Sequence, residues 1–211
     1  MINDWITLLH KRRQYDGWDL EKECPTNVVL EILEEQNTFA SKKNNQPNFE
    51  IILVSGFNND NIELRELIYE WTIVDEPGVP YGINPQTLAH HILLFKLKDN
   101  QDSEDDAVGL IQIGIASSYI ALGAAARGLQ TGYCRCFNAD DSTLDNAVNQ
   151  KLGIVDKKPI ELLLGIGYEN NHNMMINPTS NKPVLTHARK YPEITRNPLP
   201  KLNSYLTIHG K

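Results

Sequence analysis

The chain has little of what marks a disulfide-rich, nucleic-acid-binding or secreted protein. Its 211 residues include only three cysteines, and no two of them have the Cys-x-x-Cys spacing of a zinc or redox motif. A formal net charge of -7 argues against nucleic acid as a partner, because phosphate binding needs a concentrated basic face. Near the N-terminus an acidic residue precedes the apolar residues and a basic triplet follows them, the reverse of a secretion signal. We therefore expect a cytoplasmic protein.

Sequence motifs for several common chemistries are also missing. There is no P-loop, no glycine-rich dinucleotide fingerprint and no Gly-x-Ser-x-Gly nucleophile elbow. His90 and His91 are adjacent, so on a strand they point to opposite faces and cannot easily bind one metal ion. Cys134 and Cys136 can share a strand face, but two thiols alone are too few ligands. We expect no metal site.

One long uncharged run, Ala107 to Ala126, dominates the middle of the chain. It is long enough for a membrane span, but Gln112 and Ser117–Ser118 interrupt it and no basic cluster flanks it. Small residues spaced through the run favour a buried helix that a neighbouring helix or a second subunit can approach closely. Arg127 and Gly128 supply a cation and a left-handed cap for its end. We predict a central soluble helix and no membrane partner.

Apolar periodicity predicts helices and strands on both sides of this run. A near-continuous apolar strand late in the chain predicts a sheet that is covered on both faces. Residues 72–89, rich in proline and glycine, are expected to form a surface loop. The order predicts one α+β domain over residues 1–211, with a polar tail, 169–211, that wraps a partner subunit. The predicted helices are Trp5 to about Arg13, Pro25 to near Phe39, Asn61 to Trp71 and Ser142 to Leu152, and the predicted strands are Phe49–Val54, His90–Leu97, Leu129–Phe137 and Pro159–Tyr168.

Two polar segments allow a structural and a functional interpretation. The basic residues Lys11–Arg13 can simply complement the dipole at a helix end, or they can bind a phosphate through fork-shaped guanidinium groups. The segment Ser41–Asn48 can be an ordinary turn. Alternatively, its neighbouring amides, each with a donor and an acceptor, suit the polar edge of a heterocycle. The residues alone leave both questions open.

The order of these segments resembles the nitroreductase-like flavoprotein family, which binds FMN without a covalent bond. The family's Arg-Arg-Ser-x-Arg-x-aromatic motif is similar to residues 12–18, although Gln14 and Asp16 depart from it. Its Asn-x-Gln-Pro-aromatic motif is similar to residues 44–48, with Asn48 in place of the aromatic residue. The resemblance continues through the small-residue helix end at 124–131, Gly-x-Gly-Tyr at 165–168 and Arg189–Lys190.

The resemblance implies a nitroreductase-like fold, in which a sheet of about four to five mixed or antiparallel strands is flanked by helices. It further implies a homodimer that exchanges C-terminal tails and binds FMN between its subunits. Guanidinium groups from both ends of the chain would bind the phosphate, and backbone N–H groups after the third strand would lie near the flavin N5. No catalytic side chain is implied, because hydride transfer is the cofactor's own chemistry. The implied flavin contacts are Arg12, Arg13, Gln14, Ser41, Asn44, Gln46, Arg135, Cys136, Arg189 and Lys190.

Two functions are compatible with this resemblance. The first is an oxidoreductase that takes hydride from NADH or NADPH through FMN and reduces a nitroaromatic, a quinone or a related acceptor. The second is a carrier or regulatory protein of the same fold that binds flavin or a nucleotide without turnover. The departures at Gln14, Asp16 and Asn48 favour the second.

Overall fold

The computed structural model describes residues 7–8, 12, 17–39, 47–56, 59–72, 85–99, 103–135, 142–155, 158–169, 175–176 and 183–184. Within these ranges the helices are α1 (Thr26–Phe39), α2 (Asn59–Trp71), α3 (Ser103–Ala126) and α4 (Ser142–Lys151), with a 3-10 turn at Pro85–Leu88. The strands are β1 (Phe49–Ser55), β2 (His91–Leu97), β3 (Gln130–Cys134), β4 (Ile160–Gly167), β5 (Met175–Ile176) and β6 (Pro183–Val184). Each of these helices and the first four strands overlaps the sequence prediction.

A four-stranded antiparallel sheet in the order β1-β2-β4-β3 forms the centre of the described fold. In the β1–β2 ladder, Phe49 lies opposite Leu97 at one end and Ser55 opposite His91 at the other. The central strands β2 and β4 are apolar along almost their whole length because helices cover both of their faces. The predicted α+β class and antiparallel sheet are therefore confirmed.

Two apolar cores lie on the two faces of the sheet. Helices α1 and α3 cover one face, where Ile32 and Ile120 are fully buried against strand residues such as Phe95. Helices α2 and α4 cover the other face, with Ile68 and Val148 packed over β2 and β4. Burying each large aliphatic side chain contributes roughly 1.5–3 kcal/mol, so these two layers supply most of the driving force for the fold.

Helix α3 begins with three acidic residues in its first turn and ends before Gly128, which adopts φ +74°. The predicted left-handed cap is thus confirmed. The predicted long apolar helix is present, and one of its faces is not covered by the described residues. Leu110, Ile111 and Tyr119 are 45%, 64% and 45% exposed. The helix is long and apolar enough to span a bilayer, yet its opposite face packs on the sheet and α1.

The segment before β2 differs from the predicted surface loop, since residues 86–89 are buried. The cause is the buried guanidinium of Arg65, which donates to the carbonyls of Thr87 and Ala89 and also reaches those of Gly56 and His90. Burial lowers the pKa of Arg65 to about 9. Four backbone carbonyls accept hydrogen bonds from the terminal nitrogens of this cation, and the segment is thereby fixed against the start of β2.

The Gly-x-Gly pattern of β4 makes room for Trp18, whose indole is fully buried. A methyl group at Gly165 would lie 3.1 Å from the Trp18 ring, and one at Gly167 would lie equally close. Trp18 also forms an isolated antiparallel bridge with Glu169. The chain before α1 is thus attached to the end of β4.

Several predictions fall on residues outside the described ranges. The first helix is described only at Thr7 and Leu8, which are helical, and at Arg12, whose N–H donates to the Leu8 carbonyl at 3.1 Å. The tail is described only at Glu169 and at the short β5–β6 pair. Tail exchange between subunits and the single-domain assignment therefore stay predictions.

Candidate functional site

Arg12 lies where Tyr133, near the end of β3, meets the middle of α3. Its exposed side chain hydrogen-bonds the hydroxyl of Tyr133, which itself donates to the Ser117 carbonyl at 3.1 Å. Burial raises the pKa of Tyr133, and the charge and hydrogen bond of Arg12, together with the bond to Ser117, oppose that rise. A solvent-exposed guanidinium therefore lies beside Tyr133 on the edge strand, an arrangement suited to an anionic group.

Asn48 joins the start of β1 to α3 and to the end of β2. Its N–H donates to the Gln112 Oε1 at 2.8 Å, and its side-chain amide donates to the carbonyl and the carboxylate of Asp105, both at 3.2 Å. Its carbonyl accepts the N–H of Lys98 at 3.0 Å. Asn48, which departs from the family's aromatic, is therefore an anchor that ties the start of β1 to α3 and to the end of β2.

Gln112 supplies the central contact of this anchor and was not predicted as a site residue. The side chain is 4% exposed, and its Nε2 is buried with no hydrogen-bond partner in the described part of the chain. Leaving such a donor unsatisfied costs about 1–3 kcal/mol, which is unusual for a residue that serves packing alone. A polar residue inside an apolar run was the only sequence signal for it.

Gly109 explains how α3 comes close enough for this contact. A methyl group here would lie 2.5 Å from a Leu97 methyl and 3.0 Å from the Asn48 carbonyl oxygen. The helix therefore approaches the strand ends more closely than any larger residue would allow. Gln112 is held directly over Asn48 as a result.

Arg135 is the first residue after β3. Its exposed guanidinium pairs with the Glu161 carboxylate at 2.9 Å, at the start of β4. This leaves only its backbone for the predicted role near a flavin. Its neighbour Cys136 lies outside the described residues.

Of the predicted contacts the structure describes Arg12, near Tyr133 of β3, and Arg135, the first residue after β3. The other predicted contacts lie outside the described residues: Arg13, Gln14, Ser41, Asn44, Gln46, Cys136, Arg189 and Lys190. Whether cations from both ends of the chain meet at one phosphate therefore stays a prediction.

Comparison with known proteins gives structural but no sequence matches. No protein-family model and no curated protein matches the chain. A nitroreductase with bound FMN from Desulfitobacterium hafniense superposes with a TM-score of 0.61 at 16% identity, covering 82% of this chain and 92% of that protein. A nitroreductase with bound FMN from Bacteroides fragilis gives 0.60 at 15% identity, with 81% and 90% covered.

An FMN-dependent nitroreductase from Clostridium difficile gives a TM-score of 0.58 at 22% identity, covering 79% of this chain and 88% of that protein. Identities this low establish the arrangement of the backbone, and the chemistry has to be argued from the residues themselves. The antiparallel sheet, the long apolar helix and these superpositions together show that the chain has a nitroreductase-like fold.

Proposed function

We propose that this protein is a cytoplasmic, homodimeric, FMN-dependent oxidoreductase that takes hydride from NADH or NADPH. The electrons pass to a nitroaromatic, a quinone or a related small acceptor. The observation that carries the proposal is the fold, which superposes over about four-fifths of the chain on proteins described as nitroreductases with bound FMN. The residues of this chain supply two further arguments.

The first argument is that the described polar groups are of the types that the two chemical ends of FMN need. Arg12 offers an exposed guanidinium for the phosphate, beside Tyr133. Gln112 offers a buried amide donor that a flavin carbonyl or ring nitrogen would satisfy, and its Oε1 accepts the N–H of Asn48. Bound FMN supplies the hydride chemistry, and the chain binds, orients and tunes the ring.

The second argument concerns the subunit interface. The exposed face of α3 carries Leu110, Ile111 and Tyr119, together with the small residues Ala107 and Gly114. Apolar residues of this size on a helix surface favour burial by a partner, and the small residues permit a close approach. We propose that two copies pack through this face, called the α3 face below, and that the tail 169–211 wraps the partner.

Reconstitution with FMN tests the proposal. We expect purified protein to bind FMN, with a shifted flavin absorption spectrum and quenched fluorescence, and we expect NADH or NADPH to bleach the bound flavin anaerobically. Re-oxidation by an added quinone or nitroaromatic would complete the cycle. Binding without bleaching would instead favour the carrier or regulatory alternative. Failure to bind FMN at all would contradict both.

A further inference from the structure

A second polar cluster lies at the end of β1 opposite Asn48. Ser55, the last residue of β1, pairs across the ladder with His91, the first residue of β2. The Ser55 hydroxyl lies 3.1 Å from the His91 Nδ1, and the His91 Nε2 lies 2.7 Å from the Cys24 carbonyl oxygen. Ser55 and Asn48 are separated by the length of β1, roughly 20 Å, so this cluster is distinct from the proposed flavin site.

The hydrogen-bond partners determine the direction of each bond. A carbonyl can only accept, so the His91 Nε2 carries the proton and the neutral imidazole keeps Nδ1 as an acceptor for the Ser55 hydroxyl. The Thr26 hydroxyl, 2.7 Å from the Ser55 Oγ, then donates to Ser55. The hydrogen bonds therefore run in one direction, from Thr26 through Ser55 to His91. Ser55 donates its proton to the His91 Nδ1, and the Cys24 carbonyl holds the other ring nitrogen in place.

The environment keeps His91 in the form that a base requires. The ring is 1% exposed, and burial lowers its pKa, while the hydrogen bond to Cys24 opposes this and the charge of Arg65 adds to it. The imidazole is therefore neutral at pH 7. Ser55 is half-buried and Thr26 is exposed, so the hydroxyl end of the chain of bonds faces the surface.

Helix α1 adds a favourable field at the same point. Thr26 is its first residue, so the positive end of a 14-residue helix lies beside the Ser55 hydroxyl. Negative charge that develops next to Ser55 during attack on a carbonyl would be stabilised there. A nucleophile, a base, a group that orients the base and a source of anion stabilisation are the parts that nucleophilic catalysis needs.

We propose that Ser55 and His91 form a nucleophilic pair that takes an acyl group from small activated esters. The Ser55 oxygen attacks the ester carbonyl carbon while its proton passes to His91. The bond from that carbon to the leaving oxygen then breaks, and the leaving alkoxide takes the proton from His91 and departs as an alcohol. Water attacks the resulting acyl-Ser55 ester with His91 again as base, which releases the carboxylic acid and restores Ser55.

The test uses the full chain with a fluorophosphonate probe, which transfers a phosphonyl group to an activated serine with loss of fluoride. Intact mass and peptide mapping should locate one phosphonyl group on Ser55, and p-nitrophenyl acetate should be hydrolysed with an initial burst. Ser55→Ala should abolish labelling, and His91→Asn should slow it at least about 100-fold, the usual scale of general-base catalysis. Thr26→Val should slow labelling and leave its position unchanged.

Ser118→Ala is the matched control, because Ser118 is an exposed serine whose hydroxyl donates to a backbone carbonyl and not to a histidine. It should be labelled at the wild-type rate. If His91→Asn does not fold, as judged by circular dichroism, Ser55→Ala and Thr26→Val still decide the question. An unlabelled wild-type protein, a label on another residue, or a label that survives Ser55→Ala would each overturn the proposal.

Discussion

Gln112, in the middle of α3, accepts the backbone N–H of Asn48 at 2.8 Å, although the two residues are 64 positions apart in the chain. This bond fixes the entry of β1 against the helix that carries the proposed dimer surface. The Nε2 atom of Gln112 is buried without a partner in the described residues. Oε1 makes the anchoring bond to Asn48, and Nε2 is the atom that a ligand would contact. Substitutions that remove one or both atoms therefore separate the anchoring role from the ligand-binding role.

We predict that Gln112→Met, which loses both atoms, weakens FMN binding at least 10-fold and lowers unfolding free energy by about 1–2 kcal/mol. Gln112→Glu keeps the acceptor for Asn48 but loses the amide donor. If the donor serves the flavin, Gln112→Glu binds FMN as poorly as Gln112→Met. If Gln112 only anchors Asn48, affinity is close to wild type. Fluorescence titration with FMN and urea unfolding measure the two quantities.

For Arg12 we predict a loss of binding affinity only for a ligand that carries a phosphate. Arg12→Ala should weaken FMN binding by about 10–100-fold, because a charge-assisted hydrogen bond contributes about 1.5–3 kcal/mol. Riboflavin, which lacks the phosphate, should bind wild type and variant equally. The control is Arg127→Ala, which removes the same charge from a guanidinium paired with Glu35 at 2.7 Å. Equal losses for FMN and riboflavin would contradict the phosphate assignment.

The α3 face should determine the oligomeric state. Ile111→Glu places a charge at a residue that is 64% exposed in the protomer, so it should convert the proposed dimer to a monomer without unfolding it. The matched control is Val155→Glu, which changes a valine that is 98% exposed outside this face. Light scattering after size-exclusion chromatography gives the molar mass of the wild type and of both variants. A monomeric wild type, or dimers in both variants, would contradict the prediction.

Stability should fall as the pH drops below about 6.5. Burial lowers the pKa of both His90 and His91 from the ordinary value of 6.5. The unfolded chain therefore binds protons in this window that the folded protein excludes, and the free energy of unfolding decreases with falling pH. The lowered pKa values of Glu35 and Glu63 act only below 4.5. Urea unfolding at pH 7.5, 6.5 and 5.5 measures the slope, which His91→Asn should reduce.

Gly165 tests the packing of β4. In Gly165→Ala the new methyl group would lie 2.7 Å from the Gln86 carbonyl oxygen and 2.9 Å from the Ala89 side chain. Backbone atoms cannot move aside as a flexible side chain can, so we expect a loss of about 1–3 kcal/mol in urea unfolding. Tryptophan emission should shift as well, since Trp18 lies 3.1 Å from the same point. An unchanged stability would show that the segment 86–89 is not rigid.

Local patterns were sufficient for most of the regular structure. Helical periodicity and a proline start predict α1, and a charge-free run with an acidic start and Gly128 as its cap predicts α3. Lys96 is an instructive exception. It is fully buried on the central strand β2, where its ammonium group reaches the Glu50 carboxylate at 3.3 Å and the Leu97 carbonyl at 3.2 Å. A pattern of residue types cannot reveal such a partner on another strand.

For the candidate site, the structure describes only Arg12 and Arg135 among the residues to which the resemblance pointed. Arg12 meets Tyr133, whereas the Arg135 side chain pairs with Glu161. The remaining predicted contacts lie outside the described residues and stay predictions. Gln112 was overlooked because a single glutamine in an apolar run has no distinguishing pattern until its neighbour across space is known.

By itself, then, the sequence determined where helices and strands form, because periodicity, caps and turn residues act over a few neighbouring positions. It also determined the class of fold, through motifs in a particular order. Only the tertiary structure decided that residues 86–89 are buried, that one face of α3 is exposed, and that Ser55 meets His91. Those facts depend on the register of the strands and on which helices cover each face of the sheet. Both are set by contacts between residues far apart in the chain.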